Sequence, residues 1–102
     1  AYSFSDDQIR KAIEAVWNES GYILDPHGAC AYLGLSEGLA VGETGLLLET
    51  AHPAKFLETV EPVVRQKVAI PEQLGRFMDG TKQTVQMGTG FDEFKAYLMS
   101  RQ

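Results

Sequence analysis

The sequence predicts an α/β fold, a three-layer fragment with a small, mainly parallel sheet flanked by helices. Three observations predict it. Tyr22-Ile23-Leu24 runs directly into Asp25-Pro26-His27-Gly28-Ala29, an extended stretch that turns at once into a helix. A second junction of the same kind takes Leu46-Leu47-Leu48 into Thr50-Ala51-His52-Pro53. Proline has a fixed φ and no amide hydrogen, so in both it suits the first helical position. Third, the leucine run lacks alternation. Strands buried on both faces read that way, and they belong mostly to parallel sheets.

The elements follow in order. Ser5 with Gln8 three residues on forms a capping box, and Ile9, Ala12, Ile13, Val16 and Trp17 then share one helical face. Ser20-Gly21 ends that helix and hands over to a strand at 22–24. Asp25 caps the next helix, whose Ala29, Cys30, Tyr32 and Leu33 let it lie close on a sheet. Residues 34–42 hold three glycines and read as a loop. The strand at 45–49 leads to a helix from Pro53 that presents Phe56, Leu57 and Val60 inward, with Pro62 expected to interrupt it. Pro71 starts a short helix with Leu74, Phe77 and Met78 on its apolar side, closed by Gly80. Residues 84–87 alternate weakly, as an edge strand does. A last helix at 91–99 carries Phe94 and Leu98 on one stripe and Asp92 and Glu93 at its positive end. The crossover between the first two strands is expected to be right-handed. A sheet this narrow with a two-sided strand inside it implies neighbours outside the chain.

Composition excludes several functions. The net charge of -5 argues against nucleic acid, which wants a basic face. No apolar run approaches the roughly 20 residues that span a bilayer. The single Cys30, with only His27 and His52 beside it, excludes an internal disulfide and argues against a zinc site. A reducing cytoplasm fits such a chain. There is no Gly-x-Ser-x-Gly elbow, P-loop or paired-histidine metal motif.

The two junctions are expected to share one ligand-facing edge, because ligands bind at the carboxyl ends of strands in open α/β sheets. Thr50 stands there with two readings open: a ligand contact, or the cap of the following helix. Asp25 caps its helix or orients His27. His27 and His52 each precede or follow a helix-starting proline and read as hydrogen-bonded turn residues, with His27 the better placed to line an active site.

Asp25-Pro26-His27 with Ala29, and the more specific string Thr50-Ala51-His52-Pro53-Ala54-Lys55-Phe56, resemble the C-terminal part of the bacterial and fungal threonine synthase family. The resemblance extends more loosely over Ser5-Asp6-Asp7-Gln8-Ile9-Arg10, Gly21-Tyr22-Ile23-Leu24 and Ile70-Pro71-Glu72-Gln73-Leu74. Gly28 departs from it, since many relatives carry Thr or Ser there. The resemblance implies part of a larger pyridoxal 5′-phosphate (PLP) domain of fold type II. By its place in the matched string, Thr50 would contact the cofactor's pyridine nitrogen. Asp25, His27 and His52, on the same ligand-facing edge, are candidates to line the active site beside their structural roles at the two helix starts. No catalytic residue falls in the chain, because the family's Schiff-base lysine and phosphate cradle lie upstream.

The activity so implied is conversion of O-phospho-L-homoserine and water to L-threonine and phosphate by the full-length enzyme. The opening at Ala1, running straight into helical sequence, is then expected of a piece cut from a longer enzyme, whose missing N-terminal part is its partner. Alone, the 102 residues are expected to be inactive, not to hold PLP, and to self-associate. Two alternatives stand: another PLP-dependent dehydratase or β-replacement enzyme of the same class, and a stand-alone, non-catalytic α/β ligand-binding module.

Overall fold

The computed structural model describes residues 1–101. It contains α1 (Asp6–Ser20), α2 (Pro26–Gly38), a 3₁₀ turn (Pro53–Phe56), α3 (Leu57–Val64), α4 (Glu72–Met78) and α5 (Phe91–Met99). Among the described residues there is no strand, so the small parallel sheet is not formed and the regular structure is all helical. Residues 22–24, 45–49 and 84–87 lie outside any ladder. An extended segment becomes a strand only when its amides and carbonyls pair with a neighbour. Here Leu24 is buried among helices, while Leu46 and Leu48 stand 81% and 73% exposed.

The chain divides into two compact units, residues 1–72 and residues from 73 onward. In the first, α1 packs on both α2 and α3. Ile13 and Val60 are fully buried at its centre, with Ala12, Leu24, Ala29 and Val64 around them. Ile9, Val16, Trp17 and Phe56 close over this core. The small Ala29 thus admits a helix, not a sheet.

Local chemistry sets the helix ends. Ser5 and Gln8 form the capping box: the Ser5 amide donates to Gln8 Oε1 at 2.9 Å and the Gln8 amide to Ser5 Oγ at 3.4 Å. Gly21, at φ 68°, closes α1 by donating its amide to the Trp17 carbonyl at 2.9 Å. α2 begins at Pro26 under the Asp25 cap and continues through Gly34 to Gly38, where a loop was expected. An interior glycine costs about 0.5–1 kcal/mol, and the half-buried Tyr32, Leu33 and Leu35 carry the helix past it. α3 likewise runs through Pro62. It ends at Arg65, a non-glycine residue at φ 56° whose amide reaches the Glu61 carbonyl at 2.8 Å.

The second unit holds most of α4 and all of α5. No residue of either helix is buried, and Phe77, Phe91, Phe94 and Leu98 are exposed. Asp92 and Glu93 occupy the first turn of α5, as expected, and Glu93 Oε2 accepts the Gly88 amide at 3.0 Å. Among the described residues, no helix is long and apolar enough to cross a membrane.

Candidate functional site

The two junctions come together without a sheet. In the first unit, a cleft of about 660 Å³ is lined by Tyr22 and Ile23 from the first junction and by Glu49, Thr50, His52 and Lys55 from the second. Ala51, Pro53, Val68 and Ala69 complete its wall. Thr50 is exposed on this wall.

The start of the 3₁₀ turn is capped by His52. Its Nδ1 accepts the Ala54 amide at 3.1 Å, which places the ring's proton on Nε2. The His52 carbonyl takes the Lys55 amide at 3.0 Å. Pro53 stands at the first helical position, so the capping position is 52 and not 50. The Thr50 hydroxyl is therefore not spent on the helix start.

Asp25 does both things foreseen for it. Its Oδ1 accepts the His27 amide at 2.8 Å, capping α2, and faces His27 Nδ1 at 3.0 Å. Against a carboxylate oxygen, that ring nitrogen is the donor. The His27 ring also tilts against Phe56, with centroids 5.2 Å apart. His27 is not among the residues lining the cleft; His52 is.

One residue on the cleft went unremarked in the sequence. The Glu49 carboxyl faces that of Asp25 and lies against Gly28, in the space a β-carbon there would fill. Burial first, then the Asp25 carboxyl beside it, push Glu49 up to about 7. Burial also raises Asp25, but hydrogen bonds with Glu49 and with the His27 amide and ring outweigh it and hold Asp25 below its ordinary value. The sequence carried one signal of this contact, the missing side chain at Gly28.

A cleft with a free hydroxyl, apolar flanks at Ile23 and Val68 and a carboxyl that holds its proton more tightly than usual suits a small molecule with both polar and apolar surface. Among known proteins, residues 28–98 match a family model described as threonine synthase, C-terminal. The threonine synthase of Haemophilus influenzae is 37% identical over 95 residues, covering 93% of this chain and 22% of that protein. That of Escherichia coli K12 is 34% identical over 101 residues, covering 99% of this chain and 24% of the relative. The crystal structure of threonine synthase from Escherichia coli superposes with a TM-score of 0.80 at 32% identity, over 94% of this chain and 22% of that one. The chain belongs to the threonine synthase family, as its C-terminal segment, and spans less than a quarter of the Haemophilus relative's length.

Proposed function

We propose that this segment forms one wall of the active site of a PLP-dependent threonine synthase, a cytoplasmic enzyme. The full-length protein converts O-phospho-L-homoserine and water to L-threonine and phosphate. Its anchoring lysine and phosphate cradle come from the rest of the enzyme, which is this segment's partner. The observation that carries the reading is the Thr50 hydroxyl, exposed on the cleft while His52 caps the turn that follows it.

The residues present fit the cofactor's ring edge. Thr50 offers a neutral hydroxyl for the pyridine nitrogen, and Ile23 and Val68 offer apolar surface beside it. When bound, PLP acts as an electron sink for carbanions formed on the substrate. Thr50 orients the ring and, being uncharged, supplies no carboxylate to stabilise a proton on its nitrogen. The His52 cap and Pro53 fix the turn, so the Thr50 backbone is held from its carboxyl side. The segment has no matched anchoring lysine; Lys55, though it lines the cleft, sits inside the Thr50 string.

Thr50→Ala and Thr50→Val in the full-length enzyme test this. Both should leave the cofactor covalently attached, as judged by borohydride reduction, and shift its absorption. Losing one hydrogen bond of about 0.5–1.5 kcal/mol should slow phosphate release roughly two- to tenfold. Wild-type turnover and spectrum in both variants would overturn the assignment.

A further inference from the structure

Three buried carboxyl oxygens of the first unit share a problem. Asp25 is 0% exposed, and its Oδ2 has no donor. Both oxygens of Glu49 are also buried without a donor. The two carboxyls face each other, and two ionised carboxylates have only acceptors to offer. Buried polar atoms are almost always hydrogen-bonded. A proton between the groups satisfies both sides at once. Gly28 makes the arrangement possible, since any β-carbon there would occupy the place of the Glu49 carboxyl.

We propose that Asp25 and Glu49 share one proton, and that this acid–carboxylate bond latches the Thr50 segment onto the start of α2, with Gly28 as the residue that makes room for it. Glu49 and Gly28 are positioning residues: they act on the site through the place they give Thr50. The importance of that place for catalysis rests on the reading of Thr50 above, whereas the shared proton does not.

The proton resides on Glu49, the carboxyl pushed up to about 7, while Asp25 stays ionised and accepts from His27. His27 faces the pair from the first turn of α2, through its ring nitrogen and amide on Asp25. His52 and Lys55 line the same cleft from the 3₁₀ turn, and Tyr22 lines it from the link before α2. The native state keeps a proton on Glu49 that the unfolded chain releases near 4.5. That contribution is complete below 4.5 and is lost as pH rises through about 7. Asp25 runs the other way: its contribution is present above 3.8 and is lost as pH falls through its lowered value. The latch is closed between these limits and opens on the alkaline side, where two facing carboxylates repel.

Carboxyl carbon-13 NMR on the full-length enzyme, isotopically labelled in this segment, tests the proton, and backbone relaxation in the same segment tests the latch. One glutamate should titrate near 7 in the wild type and be missing from Glu49→Gln. Gly28→Ser should expel the carboxyl and return its titration towards 4.5. Order parameters at 47–51 should fall from about 0.85 towards about 0.6 on the alkaline side of that titration. In Glu49→Gln, which keeps a donor but cannot ionise, they should not change with pH. A Glu49 titrating below about 5 in the wild type, or order at 47–51 indifferent to its ionisation, would overturn the proposal. Neither result depends on PLP, so ordinary turnover in the Thr50 variants would remove the catalytic reading and leave the latch standing.

Discussion

Glu61 secures the turn after α3 with both oxygens of its carboxylate. Oε1 accepts the Val68 amide at 3.1 Å and Oε2 the Lys67 ammonium at 2.8 Å, across a turn where Arg65 holds φ 56°. A left-handed conformation costs a side-chain-bearing residue about 1–2 kcal/mol, so the turn needs such a tie. The Lys67 bond first, and then the Val68 amide, hold Glu61 below its ordinary 4.5. A lowered carboxyl stabilises the fold above 4.5 and loses that effect as pH falls through the native value. Urea midpoints should therefore drop more steeply on acidification in the wild type than in Glu61→Gln; parallel curves would mean that the tie carries no stability. At the site, residue chemistry was legible only in part. Asp25 announced its cap through the proline that follows it. Thr50 drew two readings because threonine is a favoured cap, yet the residue before a proline at the first helical position is His52, and geometry prevailed over residue preference. Glu49 was invisible, since a carboxylate at the end of an apolar run reads as a solvated strand end.

Among the elements, α1 is the one on which the others depend, because both α2 and α3 pack on it. Ile13 is 0% exposed in that contact. Ile13→Val should cost about 0.5–1.5 kcal/mol and Ile13→Ala about 2–5 kcal/mol, read from denaturant unfolding. A loss under about 0.5 kcal/mol for the alanine variant would place the core elsewhere. This helix was legible because its apolar spacing, its capping box and its terminal glycine agree. The predicted strands failed for a physical reason. An apolar run states that side chains prefer burial; it does not supply the partner amides that make a ladder. Leu24 satisfies that preference by entering the core of the first unit, and the exposed Leu46 and Leu48 do not satisfy it. The helices run longer than the glycine and proline positions predict. Gly34 and Pro62 both lie inside helices, tolerated where packed neighbours outweigh one poor position.

Taken whole, the chain exposes much apolar surface in each of its two units. Leu46 is 81% exposed in the first, and Phe77 is 82% exposed in the second. Each large apolar side chain left in water forgoes roughly 1.5–3 kcal/mol, against a usual margin of about 5–15 kcal/mol for a domain. The isolated chain is expected to self-associate, with a sedimentation coefficient that rises with concentration. A single monomeric species across the whole range would contradict this. The close approach of Gly28 and Glu49 also limits what can stand at either position. Serine or threonine at 28, in the first turn of α2, displaces the Glu49 carboxyl from its present place, whereas a short residue at 49 leaves room for either. The two positions are therefore coupled: the size of the side chain at 28 decides whether the carboxyl at 49 can keep its buried place.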